Sequence, residues 1–340
     1  MNETSTEVGR YPGVTVGSVA AFIQASVNIT DNWSVDGGYR YQYMNNKIDD
    51  FVDYKIQKNI AQGTGTSADA VPGGETNYSV GLFNLGTVYR LTAESQVWAN
   101  FSQGFDLPDP AKYYGQGTYD AADANGHYKL NNSINVADSK LSGIKTNSYE
   151  IGFRTEQDAL SFQTAAYFSE SDKSVKYNKT TLLIEDVDNK KRVYGAEALV
   201  SYWVTDNLQV GASGHYVVSE LETDGQWDDL GAEEASASKA SSWVGWYGSD
   251  LSLKVQSQTM FDYEDADENE LVGYTVFDLL GSYELPVGSI GFGVQNLFDK
   301  DYTTAWGQRA QIFYAAHYDA AAYDYKGRGR TYTLNYQVKY

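Results

Sequence analysis

The sequence predicts an all-β fold, a transmembrane antiparallel β-barrel of which about thirteen strands are present. Three observations lead to this fold class. Apolar and polar residues alternate with a period of two along most of the chain, and the connections between these segments alternate between short and long. Many segments also exceed the ~10 residues that a tilted strand needs to cross a bilayer, and no apolar run approaches the ~18 that indicate a transmembrane helix.

Each predicted strand places apolar side chains on one face and polar side chains on the other. In one of them, Val210, Ala212 and Tyr216 alternate with Ser213 and His215. This pattern is expected where one face of a strand meets lipid and the other meets a wet lumen. In chain order the predicted strands are 14–29, 34–44, 78–91, 96–105, 147–156, 160–178, 191–204, 208–221, 240–247, 251–263, 271–285, 289–298 and 327–340.

The connections between these strands fall into two classes that alternate strictly. The short turns are 30–33, 92–95, 157–159, 205–207, 248–250 and 286–288. The long segments are 45–77, 106–146, 179–190, 222–239, 264–270 and 299–326. Bacterial barrels have short turns at one rim and long loops at the other, because their strands run up and down. A soluble β-sandwich offers no reason for this alternation.

Composition excludes several function classes. The net charge of -20 argues against a nucleic-acid binder, and the absence of cysteine excludes disulfides, thiolate zinc sites and Cys nucleophiles. The three histidines, His127, His215 and His317, lie far apart and have no metal-ligand spacing. The acidic stretch 264–270 lacks EF-hand spacing and predicts a solvated loop tip. We therefore expect no catalytic residues, no metal site, no cofactor and no enzyme, and we expect His215 to face the lumen.

Several motifs resemble those of a known family. FSQGFDLPDP (101–110), GVQNLFDKDY (293–302) and the closing GRGRTYTLNYQVKY (327–340) resemble the C-terminal barrel part of TonB-dependent outer-membrane siderophore receptors. AWGQRA (305–310) and YDYKGRGRTYTLNY (323–336) are most similar to the ferric aerobactin branch of that family. The resemblance covers essentially the whole chain from about residue 14 onward.

The resemblance implies a barrel of about 22 strands whose lumen holds an N-terminal plug. It also implies an outer-membrane receptor that binds a ferric siderophore, of the aerobactin-like hydroxamate class, and imports it with energy passed on by TonB. Residues 1–340 are then expected to be one partial barrel domain, without plug, TonB box or signal peptide, from the C-terminal part of the full barrel. Because thirteen is odd, the first and last strands run in the same direction and cannot close as an antiparallel pair.

The resemblance also indicates site residues and partners. A carboxylate-bearing ferric siderophore is anionic, so it needs Arg or Lys beside aromatic walls. The candidates in the long loops are Tyr113, Tyr114, Trp306, Arg309, Tyr314 and His317, although Tyr is simply common in this chain, with 29 residues. The last strand is expected to turn one row of side chains to lipid, and the family's terminal strand is recognised by the outer-membrane assembly machinery. That row is Tyr332, Leu334, Tyr336, Val338 and Tyr340.

Two alternative functions stay open at this point. An unplugged barrel, assembled alone or as an oligomer, would act as a passive pore. A barrel whose long loops bind a host or phage partner would act as a surface-binding protein. Ion conductance without a ligand would favour the pore, whereas siderophore-dependent growth under iron limitation would favour the receptor.

Overall fold

A computed structural model describes residues 9–179 and 183–338 of the chain. Its main feature is one antiparallel sheet in which thirteen strands follow each other in chain order, with one short extra strand paired to the eighth. These strands are β1 (Val14–Asn28), β2 (Trp33–Ile48), β3 (Gly74–Arg90), β4 (Ser95–Asp106), β5 (Ile144–Gln157), β6 (Leu160–Ser171), β7 (Lys191–Thr205), β8 (Leu208–Thr223), β9 (Lys239–Tyr247), β10 (Leu251–Met260), β11 (Tyr274–Glu284), β12 (Ser289–Gln295) and β13 (Thr331–Gln337).

All thirteen predicted strands are present, and the differences lie at their ends. The largest difference concerns the predicted strand 160–178, because β6 ends at Ser171. The residues that follow form a separate strand, Ser174–Asn178, which pairs with Leu183–Val187 rather than with the sheet. The predicted last strand, 327–340, shortens to β13, and Tyr340 lies outside the described residues.

Strand register assigns every side chain to one of two faces. Glu197 on β7 lies opposite His215 on β8, which lies opposite Lys239 on β9, so these polar residues share one face of the sheet, which we call the inner face. The same register carried to β13 puts Thr333 and Asn335 on that face. The intervening positions face outward, and many of them are apolar. Examples are Ile151, Tyr216, Val255, Tyr332 and Leu334.

The expected position of His215 is confirmed, since it lies on the inner face, where its Nε2 is 2.7 Å from the Tyr167 hydroxyl. The two ends of the sheet have the expected relative direction. Each strand pairs antiparallel with the next, so β1 and β13 run the same way. Among residues 9–179 and 183–338, no ladder joins these two strands.

The long connections together form a second region, which we call the loop layer. It consists of 49–73, 107–143, 172–190, 224–238, 261–273 and 296–330. It contains three short helices, α1 (Tyr54–Ala61), α2 (Pro110–Tyr113) and α3 (Ala305–Phe313), and one 3₁₀ turn, Ala320–Tyr323. Its short paired strands are Ser67–Ala68 with His127–Tyr128, Gln116–Tyr119 with Leu130–Ile134, Ser174–Asn178 with Leu183–Val187, Gln226–Asp229 with the end of β8, and Tyr263–Glu264 with Glu270–Leu271.

The hydrophobic core lies in the loop layer and at its junction with the strand ends. One cluster joins β2, loop 107–143 and strand Leu183–Val187 through Ile48, Tyr114, Leu141 and Ile184. A second contains Val52, Ile56, Ala68 and Tyr128, and a third contains Ala232, Ala237, Met260 and Leu271. Loop 107–143 also reaches the inner face of the sheet, where the Tyr78 hydroxyl donates to the Leu141 carbonyl at 2.7 Å.

The acidic stretch 264–270 is mostly exposed, as expected for a solvated tip, but one of its residues, Asp265, is buried. Asp265 is only 7% exposed, and its carboxylate accepts hydrogen bonds from the backbone N–H groups of Ala232, Asp267 and Asn269. Residues Tyr263–Glu264 and Glu270–Leu271 pair on either side of it. The stretch is therefore an ordered turn that joins two loops.

Helices in the described part of the chain are all short. None of them is long and apolar enough to cross a membrane.

Candidate functional site

A cavity of about 370 Å³ opens in the loop layer between helix α1, loop 107–143 and the segment that precedes β1. Helix α1 is held in place at its start, where the Asp53 carboxylate accepts from the Lys55 N–H at 2.9 Å. The Gln57 side chain then fixes the preceding segment, since it accepts from the Gly9 N–H at 3.0 Å and donates to the Gly9 carbonyl at 3.1 Å. This pairing places Arg10 and Tyr11 at the cavity wall.

The cavity combines cations with aromatic rings. Arg10 and Lys55 line it, and neither forms an ion pair with an acidic residue in the described part of the chain. The Arg10 guanidinium lies 5.7 Å from the ring centroids of both Tyr11 and Tyr54. Asp53 is the acidic group in the wall. Local charge here is therefore positive, although the chain as a whole is strongly negative.

Gly115 allows the chain to pass close to the opposite wall of this cavity. Its φ of +84° lies in the left-handed region that favours glycine. A Cβ at this position would lie 2.9 Å from the Phe51 ring and 3.1 Å from Pro12. A larger residue would therefore have to displace Phe51 or Pro12.

The two tyrosines predicted from loop 106–146 lie next to this cavity but play different parts. Tyr113 ends helix α2 and packs edge-on against Tyr114, with ring centroids 5.0 Å apart. Tyr114 lines the cavity yet is only 2% exposed, because its ring belongs to the cluster with Leu141. Its hydroxyl accepts from the Leu141 N–H at 3.0 Å, and burial raises the pKa of Tyr114 to about 12. Tyr114 thus mainly supports the wall, whereas the prediction requires an accessible ring.

The four residues predicted from the last loop lie on helix α3 and just after it, rather than in an irregular loop. Trp306 is 64% exposed and contacts Tyr325, and the Tyr314 ring stacks on Tyr323 with centroids 4.9 Å apart. His317 follows, with its Nε2 2.8 Å from the Lys179 carbonyl oxygen. These rings form a continuous aromatic surface on loop 296–330.

Arg309 does not supply the cation that this aromatic surface needs for an anionic ligand. Its Nη2 donates to the Ala235 carbonyl, and its buried Nε has no hydrogen-bond partner. The nearby exposed charges include Asp319 and Asp324, and the Lys326 amine lies 3.4 Å from the Asp324 carboxylate. The predicted aromatic residues of this loop therefore share one surface, whereas Arg10 and Lys55, which have no acidic partner among the described residues, line the other cavity.

One hairpin contacts both the cavity that Arg10 and Lys55 line and the aromatic surface of loop 296–330. Its strands are Ser174–Asn178 and Leu183–Val187. Leu183 lines the cation–aromatic cavity, and Lys179 contacts His317. The Lys179 amine also pairs with Glu233 at 2.6 Å. The hairpin and Lys179 thereby connect the cavity with loops 224–238 and 296–330.

Sequence reasoning missed Arg10, Tyr11, Tyr54 and Lys55. Each cation stands beside a tyrosine in the sequence, as Arg10–Tyr11 and Tyr54–Lys55. Such basic–aromatic pairs in a strongly acidic chain are a signal that could have identified the cavity. In the described residues, no group of three or more His, Cys, Asp or Glu is placed to hold a metal ion.

Comparison with known proteins gives one matching family model and several close relatives. The model, described as TonB dependent receptor-like, beta-barrel, matches residues 2–297. The chain is 49% identical over 339 residues to the ferric aerobactin receptor of Klebsiella pneumoniae, covering 99% of this chain and 46% of that protein. It is 45% identical over 334 residues to the rhizobactin receptor of Rhizobium meliloti (strain 1021), covering 98% and 44%. The chain thus spans about half the length of these relatives.

Solved structures share the fold at low sequence identity. The copper transporter OprC has a TM-score of 0.71 at 17% identity, covering 94% of this chain and 48% of that one. The ferric-catecholate import receptor Fiu from E. coli K12 has a TM-score of 0.66 at 18% identity, covering 94% and 44%. At such identity the likeness extends to the strand architecture alone.

Proposed function

Because the chain belongs to the TonB-dependent receptor-like β-barrel family, we propose that it forms the strand wall and outer loops of an outer-membrane receptor for a ferric siderophore. One observation carries the proposal. The chain is 49% and 48% identical, along 99% of its length, to the ferric aerobactin receptors of Klebsiella pneumoniae and Escherichia coli. The proposed ligand is accordingly an aerobactin-like ferric siderophore of the hydroxamate class, in which iron is cargo and not a cofactor.

The cation–aromatic cavity of the loop layer is the proposed ligand site. Carboxylates of an anionic siderophore would accept hydrogen bonds from Arg10 and Lys55, and charge-assisted bonds of this kind are about twice as strong as neutral ones. Tyr11, Tyr54 and the Phe51 ring would cover the apolar parts of the ligand. Because both cations lack an acidic partner among the described residues, the ligand would not have to displace one.

The aromatic surface of loop 296–330 would form the opposite wall of the ligand path. Trp306, Tyr314 and His317 are proposed to guide the ligand by ring contacts, while Arg309 holds loop 296–330 against loop 224–238 through Ala235. Tyr113 and Tyr114 are proposed to fix the shape of the cavity. Of the six residues predicted from the sequence, three are thus proposed to touch the ligand and three to hold the loops in shape.

The remaining partners are proposed by analogy with the family. Import would be energised through TonB in the complete receptor, and the outer face of β13 would contact lipid and the outer-membrane assembly machinery. We propose no enzymatic step, because receptor function needs binding and movement of the ligand but no bond to be made or broken in it.

A segment exchange tests this function in a complete receptor. Residues 1–340 replace the matching segment of the Klebsiella pneumoniae ferric aerobactin receptor, and uptake of radioactive iron from ferric aerobactin is measured in cells that lack their own receptor. We expect uptake that depends on TonB. Arg10→Gln with Lys55→Gln should reduce uptake at low ligand concentration about tenfold, because two charge-assisted hydrogen bonds are lost.

Lys129→Gln is the matched control, since Lys129 is an exposed lysine of the loop layer that does not line the cavity. Uptake by this variant should equal that of the unmodified exchange. Absence of uptake by an exchange that reaches the cell surface would overturn the proposal. Ligand-independent ion conductance of the purified protein would instead favour a passive pore.

A further inference from the structure

Two buried polar side chains lie beneath loop 107–143, at the loop-side ends of β2 and β3. Asn46 on β2 is 0% exposed, and Thr76, directly opposite it on β3, is 7% exposed. The Nδ2 and Oδ1 atoms of Asn46 and the Oγ1 atom of Thr76 have no hydrogen-bond partner in the described part of the chain. Unpaired buried groups of this kind are rare in folded proteins. We call these two residues the polar pair.

Loop 107–143 contacts the sheet on both sides of the polar pair. At the start of β3, a Cβ at Gly74 would lie 3.2 Å from the Val136 side chain. Four residues further along the same strand and on the same face, the Tyr78 hydroxyl donates to the Leu141 carbonyl at 2.7 Å. The polar pair lies between these two contacts, so the same loop closes over it.

The neighbours of the polar pair on the covered face are apolar. Met44 and Ile48 flank Asn46 on β2 and are 9% and 3% exposed. Ile48 packs in one cluster with Tyr114 and Leu141 of the loop. At 0% exposure, Asn46 has no room beside its amide for a water molecule. Closure of the loop thus takes three polar atoms out of water without giving them a new partner, and this destabilises the closed arrangement.

The outer face of the same two strands provides a contrast. One residue away from the polar pair, the Asn45 Nδ2 donates to the Asn77 Oδ1 at 2.7 Å, and the Tyr43 hydroxyl donates to the same oxygen at 2.7 Å. These side chains face outward, because the side chains of a strand alternate between its two faces. The missing hydrogen bonds are therefore a property of the face that the loop covers, and not of the strand ends in general.

We propose that loop 107–143 is a lid that opens from the sheet spontaneously, and that the polar pair determines how often it opens. In the open state, the amide of Asn46 and the hydroxyl of Thr76 form hydrogen bonds with water. These bonds offset part of the apolar contacts that Leu141 loses when the lid leaves the sheet. The closed state is thereby less stable than an apolar pair at these two positions would make it.

Opening of the lid also changes the cation–aromatic cavity. Tyr114 and Gly115 line that cavity, and both belong to loop 107–143. The Tyr114 hydroxyl accepts from the Leu141 N–H at 3.0 Å, so the cavity wall is joined to the part of the lid that rests on the sheet. A lid that opens removes this wall and exposes the cavity. The proposal concerns the loop itself and does not rest on which ligand the cavity binds.

Labelling of a single thiol measures the opening. The chain contains no cysteine, so Thr76→Cys places one thiol beneath the lid, where a water-soluble maleimide reaches it only in the open state. The rate is measured on the full chain, folded in detergent, without ligand. Asn46→Leu in this background should slow labelling about tenfold, because closure no longer buries an unpaired amide. Glu75→Cys, at the exposed neighbouring position, is the matched control, and Asn46→Leu should leave its labelling rate unchanged.

Two substitutions on β3 should have opposite effects on the protection of the Leu141 amide against hydrogen exchange. Thr76→Val removes an unpaired hydroxyl at nearly constant shape and should raise the protection about fivefold. Tyr78→Phe removes the hydroxyl that donates to the Leu141 carbonyl and should lower the protection about tenfold. Thr87→Val is the control, because the Thr87 hydroxyl is hydrogen-bonded on the outer face of β3, and it should leave the Leu141 amide unchanged.

Faster labelling with Asn46→Leu, together with lower Leu141 protection in Thr76→Val, would overturn the proposal, because the polar pair would then hold the loop on the sheet. Unchanged labelling with Asn46→Leu and unchanged protection in Thr76→Val would overturn it as well. None of these measurements uses a siderophore. Failure of the segment exchange to import iron would therefore leave their outcome unaffected.

Discussion

The strand wall and the loop layer use the same apolar residue types in opposite ways. On the wall, Ile151 at the middle of β5 is 62% exposed and faces outward. In the loop layer, Leu141 is fully buried among Ile48, Tyr114 and Ile184. The wall gains order from its ladders of backbone hydrogen bonds and leaves its apolar face for lipid, whereas the loop layer is ordered by packing in water.

This difference determines where a substitution acts. A cavity in the loop layer removes contacts that hold separate segments together, while loss of an apolar group from the outer wall leaves the ladder intact. A new charge should destabilise the outer wall more than the loop layer, because the loops are hydrated and the outer wall is not.

The largest effect is expected from Leu141→Ala. Removal of this buried side chain should cost about 2–5 kcal/mol, because the three segments that meet there cannot close the cavity completely. Amide hydrogen exchange in loop 107–143 should rise accordingly, while exchange in β5 and β6 stays slow. Ile151→Ala is the control, and it should leave exchange in the loop layer unchanged.

A charge on the outer wall is expected to have the next largest effect. Ile151→Arg should destabilise the protein in lipid by about 2–4 kcal/mol, the cost of a cation near the bilayer midplane. Ser148→Arg places the same side chain on the inner face of the same strand and should cost much less. Equal unfolding free energies for the two variants in vesicles would contradict the assignment of faces.

Asp265→Asn should have a smaller effect that depends on pH. Burial opposes the charge of this carboxylate, but hydrogen bonds from Ala232, Asn269 and Asp267 outweigh it and lower the pKa of Asp265. Its contribution, about 1–3 kcal/mol for bonds to a charged group, is therefore present above the ordinary Asp pKa and lost as pH falls through the lowered value. The protection factor of the Ala232 amide, which corrects its exchange rate for the intrinsic effect of pH, should be lower at pH 3 than at pH 7 in the parent. This difference should be smaller in the variant.

The smallest effect is expected at Glu234, which pairs with Lys191 at 3.7 Å. Burial raises the pKa of Glu234, so the folded loop favours the protonated form. The cost of burying the charged form is absent below the ordinary Glu pKa and complete above the raised one. Glu234→Gln should therefore change stability by no more than about 1 kcal/mol at pH 5, and should be stabilising at pH 8, as read from urea unfolding curves.

The same contrast explains how much the sequence could predict. On the wall, each residue meets either lipid or the lumen, so a period of two reveals the strands and both faces, including the inward position of His215. In the loop layer, the partners come from distant segments, as when Gln57 binds Gly9 or Asp265 binds Ala232. No local periodicity records such contacts, so helices α1 to α3 and the burial of Asp265 were not predicted.

The candidate site shows the same limit. Trp306, Tyr314 and His317 were identified by residue type, and they do lie together on and after helix α3. The unpaired cations, Arg10 and Lys55, are 45 residues apart in the sequence and meet only because Gln57 holds the first segment against helix α1. Arg309 was chosen as the cation for an anionic ligand, but its guanidinium donates to the Ala235 carbonyl and joins loop 296–330 to loop 224–238.

The most direct test is the affinity of the purified segment exchange for ferric aerobactin, measured by titration in detergent. We predict that Arg10→Gln with Lys55→Gln weakens binding at least tenfold, while Lys129→Gln, in the loop layer but outside the cavity, leaves the affinity unchanged. Full affinity in the Arg10 and Lys55 variant would contradict the assignment of the siderophore site to the loop layer.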